Sequence, residues 1–142
     1  MIKHKHMLGM LIAAGFIGAW LLFNPIGRFG LHSFGLTVYS GIPFPVIDLM
    51  ITKNGWPIPR RHKSHVIYHS EIQELLLSKE NIDVPEFIIL GVGWDNKVHV
   101  DQSVFKYPVP PVEVLSTPKA IERYNELRRT GHTVAAIIHS TC

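Results

Sequence analysis

The stretch VAAIIHSTC, residues 134–142, decides the centre of the fold and also raises a question about chemistry. Its first five residues are all apolar, which is typical of a strand that is buried on both faces. His139, two hydroxyl side chains and the only cysteine, Cys142, follow directly. This ending predicts a sheet covered on both sides, and it leaves open whether the polar residues form a catalytic cluster or only end the strand.

Strands and helices alternate in the preceding sequence. The Asn54-Gly55 pair predicts a turn between two strands. The sequence SEIQ, beginning at Ser70, matches a reciprocal capping pattern and predicts the start of a first helix. A second helix is predicted to be capped by Thr117 and to end at Gly131. This alternation predicts an α/β domain with a layered architecture.

The N-terminal segment, residues 1–23, contains an uncharged apolar run from Met7 to Phe23. As a helix it would be roughly 25 Å long, a little less than a hydrocarbon core of about 30 Å. We interpret it as a single transmembrane anchor; the alternatives are a cleaved secretory signal and a buried core helix. Lys3 and Lys5 precede the run, so the positive-inside tendency favours an inner, cytoplasmic-type membrane with the N-terminus inside and the domain on the outer or periplasmic side.

Small residues recur four positions apart along this predicted helix. Ala14 and Gly18 form one such pair, and Gly15 and Ala19 form another. Small side chains permit close approach of a second helix, so these residues are candidates for a partner-binding surface. The alternative is that glycine and alanine are simply common in membrane spans.

Residues 24–45 are rich in glycine and proline and are predicted to form a linker before the domain, residues 46–142. The linker carries four large apolar residues, Phe29, Leu31, Phe34 and Leu36. A free, solvated tether does not accommodate so many. They are expected to pack on the domain, to lie in the membrane interface, or to bind another subunit.

The positive net charge of +3 does not indicate a nucleic-acid partner. Lys3, Lys5 and Arg28 account for all of the excess, since the eleven basic residues after His32 are matched by eleven carboxylates. The body of the chain therefore lacks the basic stripe that phosphate binding requires. The expected partners are a lipid bilayer and other protein subunits, and no nucleic acid.

Three stretches carry a resemblance to a known family: AIERYNELRRTGHTVAAIIHSTC at residues 120–142, with PRRHKSHVI and IILGVG upstream. In order and spacing they resemble the Mth-nine-three-eight-like domain family, and the similarity covers about residues 36–142. The resemblance implies a compact three-layer α/β domain with a central mixed sheet and no established reaction. One mitochondrial relative resembles an assembly factor for respiratory complex I. The N-terminal helix and the linker depart from the typical soluble member.

The polar ending suggests a cysteine–histidine pair, but a base must lie within about 3 Å of a nucleophile. If the strand continues to the end, His139 and Cys142 point to opposite sides and lie about 10 Å apart. Only a turn at Ser140-Thr141 would bring them together. We therefore expect no catalytic residue, with His139 and Cys142 as weak candidates.

A ligand loop is the second weak candidate for chemistry. The glycines of the GVG sequence, Gly91 and Gly93, follow a predicted strand, and Asp95 is close behind. Arg60 and Arg61 form a short basic run, and with the glycine loop they are the first choice for a small ligand. The third glycine of a phosphate-binding motif is missing, so a strand exit and a solvated turn are preferred.

Histidines at 62, 65 and 69 suggest a metal site, but they cross a predicted strand. On that strand His65 and His69 would lie on one side about 13 Å apart, which is too far to share one ion. We therefore predict no metal and no cofactor.

Two classes of function remain. The first is a non-catalytic, membrane-anchored accessory or assembly subunit of a multi-subunit membrane complex of respiratory or photosynthetic electron-transfer type. The second is a membrane-tethered enzyme or small-molecule-binding domain that uses the His-Ser-Thr-Cys ending or the Gly91 loop. The exposed apolar residues of residues 24–45 favour the first class, because contiguous apolar patches usually mark contacts.

Overall fold

The computed structural model describes residues 2–62, 64–77, 84–106 and 110–142, with side chains from His4 onward. The described chain forms three α-helices, ten strands and one short 3-10 helix. In chain order these are α1 (Ile2–Phe23), β1 (Phe29–Ser33), β2 (Leu36–Tyr39), β3 (Ile42–Pro45), β4 (Leu49–Ile51), β5 (Pro57–Pro59), β6 (Val66–Ile67), α2 (His69–Leu76), β7 (Phe87–Gly91), β8 (His99–Val100), the 3-10 helix (Gln102–Phe105), β9 (Val112–Leu115), α3 (Thr117–Arg129) and β10 (Val134–Ile138).

The central sheet has five strands in the order β5-β4-β10-β7-β9. The middle strand, β10, is parallel to β7 and antiparallel to β4, so the sheet is mixed. All five β10 residues have no exposed surface, as the apolar run predicts for a strand covered on both faces. The predicted turn at Asn54-Gly55 joins β4 to β5, and Gly55 has a φ of +83°.

Helices and smaller sheets cover both faces of the central sheet. Alternate β10 residues contribute to two apolar clusters, one on each side. The first cluster contains Ile121, Tyr124 and Leu127 of α3. The second contains Ile72 and Leu75 of α2. The predicted three-layer α/β fold with a central mixed sheet is confirmed.

Both helix starts differ slightly from their predicted positions. Helix α2 begins at His69, because the Glu71 carboxylate accepts a hydrogen bond from the Tyr68 amide and stabilises a start one residue before Ser70. Helix α3 includes Thr117, with Ser116 at the cap position. The Thr117 hydroxyl instead donates to the His139 carbonyl at 2.6 Å, which ties the start of α3 to the end of β10.

The segment predicted as a linker, residues 24–45, is mostly strand. Strands β1, β2 and β3 form an antiparallel sheet, and Phe29 is buried in the first apolar cluster. The Phe29 ring packs edge-on against Tyr39 and Tyr124, with centroids 4.9 and 5.2 Å away. Asn125 of α3 also bonds both the amide and the carbonyl of Phe29 at 2.8 Å. Phe29 is therefore a core residue, and the packed domain begins well before residue 46.

Helix α1 joins this small sheet directly. The buried Asn24 side chain donates to the Trp20 carbonyl and accepts from the Leu31 amide at 2.9 Å. The Trp20 indole N–H donates to the Gly41 carbonyl at 2.8 Å. The helix and the sheet are thus connected by specific hydrogen bonds, and their relative position is defined without a flexible tether.

Among the described residues, the segment His4–Phe23 of α1 is long and apolar enough to cross a membrane, and the domain does not cover it. A core helix of a soluble protein would be mostly buried, whereas no residue of this segment is buried, although Trp20 and Leu21 contact the small sheet at Gly41. Signal sequences near an N-terminus share this length and composition. The described part of the chain therefore has one apolar N-terminal helix that is suited to membrane anchoring.

Candidate functional site

The strand β10 ends at Ile138, and the last four residues turn back toward the domain. This turn brings His139 and Cys142 to the same place as His65, the residue just before β6. The metal-binding atoms of these three side chains all lie within 4.8 Å of one another. The His65 Nε2 and Cys142 Sγ atoms are 3.3 Å apart. The expectation that His139 and Cys142 point apart is therefore wrong, because the strand does not continue. We call His65, His139 and Cys142 the terminal cluster.

The glycine loop after β7 holds this turn in place. The amides of Trp94 and Asp95 donate to the backbone oxygens of Thr141 and Cys142, at 3.2 and 2.7 Å. The predicted ligand loop, residues 91–95, therefore uses these N–H donors to hold the chain's own end. Two amides that could face a phosphate therefore already have partners in the terminal segment, and binding of a small ligand at this loop stays a prediction.

The two glycines of this loop are also enclosed. A Cβ atom on Gly91 would lie 3.1 Å from Ile138 and 3.2 Å from Ala120, within the packed core. Gly93 has a φ of +96°, and a Cβ there would lie 2.5 Å from the Cys142 backbone oxygen. Glycine is required at this position because the backbone is left-handed and the returning chain passes directly over it.

Asp48, which immediately precedes β4, orients His139. Its Oδ2 atom lies 2.6 Å from His139 Nδ1, and its Oδ1 atom accepts the Ser140 amide at 2.9 Å. An ionised carboxylate only accepts hydrogen bonds, so the imidazole carries a hydrogen on Nδ1. When the ring is neutral, the lone pair is on Nε2, which lies 3.2 Å from the Thr141 hydroxyl on the side of the terminal cluster.

The Asp48–His139 contact changes the pKa of both groups. Burial is the largest influence on Asp48 and opposes its ionisation, yet the hydrogen bonds from His139 and Ser140, together with nearby positive charge, lower its pKa below the usual value. The hydrogen bond to Asp48 is the largest influence on His139 and raises the pKa of the imidazole, with burial opposing it. The site therefore holds an ionised aspartate against a basic histidine.

Arg60 lies buried beside the site and is not a solvent-exposed residue available to a ligand. Its guanidinium is fully buried and bonds both oxygens of Glu71, at 2.6 and 3.1 Å. It also donates to the carbonyls of Ser64 and Val66, which flank His65. Its fourth partner is Asp48, at 3.5 Å. The expectation of a solvated turn is thus wrong for Arg60, because its guanidinium bonds the segments that carry His65 and Asp48. Arg61 is exposed, as expected.

A cavity of about 460 Å³ adjoins the terminal cluster. Its lining includes His65, His139 and Thr141, together with Arg60 and His62. Chemically, the arrangement offers two imidazoles and one thiol next to an accessible space.

The hydrogen bonds of the terminal cluster make Cys142 unusually acidic. His139 and then His65 lower the pKa of the Cys142 thiol to about 7. In metal-free protein, the rate of alkylation by iodoacetamide should therefore rise with a midpoint near pH 7, whereas an unperturbed thiol titrates near pH ~8.5. The His65→Ala variant should shift the midpoint upward. The matched variant His99→Ala removes an exposed histidine of β8 and should leave the midpoint unchanged; a wild-type midpoint above about pH 8 would contradict the geometry.

The sequence analysis missed His65 and Asp48 as parts of one site. His65 lies 77 positions from Cys142, and Asp48 lies 91 positions from His139. No local spacing links such residues. The available signal was that His139 directly follows a central strand, where polar side chains meet the ends of neighbouring strands.

The fold and the terminal cluster together define a class: a three-layer α/β domain in which the chain's end returns over a glycine loop, preceded here by an apolar helix. No family model matches the sequence, and comparison with curated proteins gives no significant match. Solved structures do match. The protein described as MT938 is 35% identical, with a TM-score of 0.67, and the similarity covers 81% of this chain and 98% of that chain.

Two further solved structures share the fold at lower identity. A Mth938-like domain protein from Bordetella pertussis is 15% identical, with a TM-score of 0.58 and coverage of 80% of this chain and 85% of that chain. A protein from Bartonella henselae, described as an outer membrane protein, is 16% identical, with a TM-score of 0.61 and coverage of 84% and 99%. The chain belongs to the Mth938-like domain family.

Proposed function

We propose that this protein is a non-catalytic, membrane-anchored accessory or assembly subunit of a multi-subunit membrane protein complex. The observation that carries the proposal is the direct attachment of an exposed apolar helix to a small sheet that also exposes large apolar side chains. Specific hydrogen bonds hold the two together through Trp20 and Asn24. A simple tether does not need a defined angle between anchor and domain, whereas a docking element does.

The surface of α1 supports a protein partner in the membrane. Cβ atoms built on Gly15 and Gly18 meet nothing within 4 Å, so the small-residue face is not used by the described chain itself. This face also contains Ala14 and Ala19, the other predicted partner-binding residues of the helix. Helix association in lipid depends on close packing, and small residues make such packing possible.

The three-stranded sheet next to α1 offers a second apolar surface. Leu31 and Phe34 are 54% and 60% exposed, and Ile42 at the start of β3 is 53% exposed. Of the four residues predicted to bind a partner here, Leu31 and Phe34 remain candidates. Phe29 is buried in the core, and Leu36 is only partly exposed. Leu31 and Ile42 lie near α1, whereas Phe34 lies in the β1–β2 turn at the other end of the sheet, next to Ser140. Exposed apolar groups of this kind are suited to an apolar surface on a neighbouring subunit.

Two features of the sequence support the kind of complex and the orientation that we propose. The resemblance to a family with a complex I assembly factor supports a respiratory or photosynthetic electron-transfer complex. Lys3 and Lys5 before the helix, against Arg28 after it, support an inner membrane with the N-terminus inside and the domain outside.

Association with a parent complex is tested by gentle detergent extraction of the full chain and native mass analysis. The wild type should co-purify with stoichiometric partner subunits. Gly18→Leu should weaken this association by blocking helix approach, while Leu22→Ile keeps the same hydrophobicity and should not. Phe34→Glu should weaken it at the sheet, whereas Phe105→Glu changes a comparably exposed phenylalanine, 56% against 60%, away from that sheet and should not.

Two results would count against parts of the proposal: the first against membership of a complex, and the second against the docking surfaces of α1 and the sheet. One is a monodisperse monomer from native membranes; the other is equal partner recovery for Gly18→Leu, Phe34→Glu and their matched controls. The second result would leave α1 as a plain anchor.

A further inference from the structure

The terminal cluster has the composition and spacing of a transition-metal site. In a tetrahedral zinc site, Zn–N and Zn–S bonds of about 2.0 and 2.3 Å place neighbouring donor atoms about 3.3–3.6 Å apart. The separation of His65 Nε2 from Cys142 Sγ is 3.3 Å, and the whole set lies within 4.8 Å. A small movement of the His139 or Cys142 side chain would bring all three donor atoms to the separations of a tetrahedral site.

The hydrogen bond from His139 to Asp48 is an independent observation in favour of a metal ion. Metal-binding histidines usually donate their second ring N–H to a carboxylate, which fixes the tautomer and makes the other nitrogen a better ligand. Asp48 accepts this hydrogen bond at 2.6 Å and is itself held by the Ser140 amide. This hydrogen bond distinguishes the terminal cluster from a simple group of exposed polar residues, because Asp48 orients His139 from the buried side.

The chemistry of the donors selects the class of ion. Thiolate and imidazole ligands favour Zn²⁺ and related transition metals, whereas Mg²⁺ and Ca²⁺ require oxygen ligands. The Thr141 hydroxyl, now 3.2 Å from His139 Nε2, would give up this hydrogen bond to the ion.

We propose that His65, His139 and Cys142 bind one transition-metal ion of the Zn²⁺ class. Three protein ligands leave a fourth tetrahedral position, as in zinc sites that also hold water or a small ligand. His65 and His139 also line the cavity of about 460 Å³, which gives such a ligand access. None of the three proposed ligands is an exposed apolar residue of α1 or β1–β3, although the Gly35 amide of the β1–β2 turn donates to the Ser140 carbonyl at 2.8 Å. Metal binding is therefore measured on the isolated chain, without a partner complex.

This proposal replaces the sequence-based expectation of no metal. That expectation considered His62, His65 and His69, whose order along one segment prevents them from sharing an ion. Only the folded chain brings His65 together with His139 and Cys142, from the other end of the sequence.

The test uses the full chain in detergent micelles, stripped with a chelator, kept reduced and titrated with Co²⁺ alone. Binding of one Co²⁺ should produce the visible bands of a tetrahedral site and a thiolate-to-cobalt charge-transfer band, and one equivalent of Zn²⁺ should displace it. Cys142→Ser should abolish the charge-transfer band. His65→Ala should weaken binding by more than about 100-fold, since loss of an outer-shell partner alone typically costs 10–100-fold.

Two further variants separate the site from general effects. Asp48→Asn should weaken binding by about 10–100-fold while the thiolate band persists, because it removes only the orienting contact. His99→Ala, at an exposed histidine of β8, should bind like the wild type. Absence of a charge-transfer band in the wild type, or unchanged affinity in folded His65→Ala and Cys142→Ser, would overturn the proposal. Both variants lie at the surface end of the cluster, and circular dichroism checks their folding.

Discussion

Substitution of Ile137 by aspartate is expected to abolish cooperative folding. Ile137 has no exposed surface and belongs to the apolar cluster on the α2 side of the sheet. It pairs with Met50 of β4 on one side and with Leu90 of β7 on the other, so neither edge of its strand reaches water. An unpaired charge there costs several kcal/mol, which is comparable to the whole stability of ~5–15 kcal/mol of a typical domain. Chemical denaturation followed by circular dichroism measures the effect.

The matched control is Ile137→Val, which removes one methylene group and keeps the β-branched shape. It should cost only about 0.5–1.5 kcal/mol and retain a cooperative transition. A cooperative transition in Ile137→Asp with a loss below about 2 kcal/mol would contradict the assignment of β10 as a strand buried on both faces.

The second large effect is expected from Arg60→Ala, with a loss of about 3–5 kcal/mol in the free energy of unfolding. The side chains of Arg60 and Glu71 are 0% and 1% exposed, and they share two hydrogen bonds. Removal of the guanidinium leaves the Glu71 carboxylate buried without its main partner. It also frees the carbonyls of Ser64 and Val66, so the segment carrying His65 should loosen as well.

Two variants test whether the unpaired charge causes this loss. Arg61→Ala removes the exposed neighbouring arginine and should change stability by less than about 0.5 kcal/mol. The double variant Arg60→Met with Glu71→Leu removes both charges and should recover much of the loss, because well-packed apolar residues often replace a buried ion pair without cost. Equal stability of Arg60→Ala and Arg61→Ala would show that the ion pair is not important.

Much of the layered fold could be predicted because its signals are local. The apolar run of β10, the helical spacing of Ile121 and Tyr124, and the turn at Asn54-Gly55 each depend on a few neighbouring residues. The structure places all of them as expected. The helix caps were displaced by one or two residues, since the choice between Tyr68 and Ser70 as the cap of α2 depends on how the preceding strand enters the helix.

Residues 24–45 show how a composition rich in glycine and proline can mislead. Such residues indicate a linker by frequency, but here Pro43 and Pro45 lie on an edge strand, where a missing N–H is tolerated. Phe29 could not be assigned to the core from its neighbours. Its burial depends on Tyr39, Tyr124 and Asn125, and two of these lie almost 100 residues away.

The sequence by itself determined a buried central strand, two amphipathic helices, an apolar N-terminal helix and a neutral domain surface, because periodicity and charge are properties of short segments. Only the tertiary structure decided that His65, His139 and Cys142 meet, that Asp48 orients one of them, and that Arg60 is buried. These contacts join residues up to 91 positions apart. They depend on where β10 ends and on the glycine loop that receives the last residues, since a strand continued by a few residues would have directed His139 and Cys142 to opposite faces.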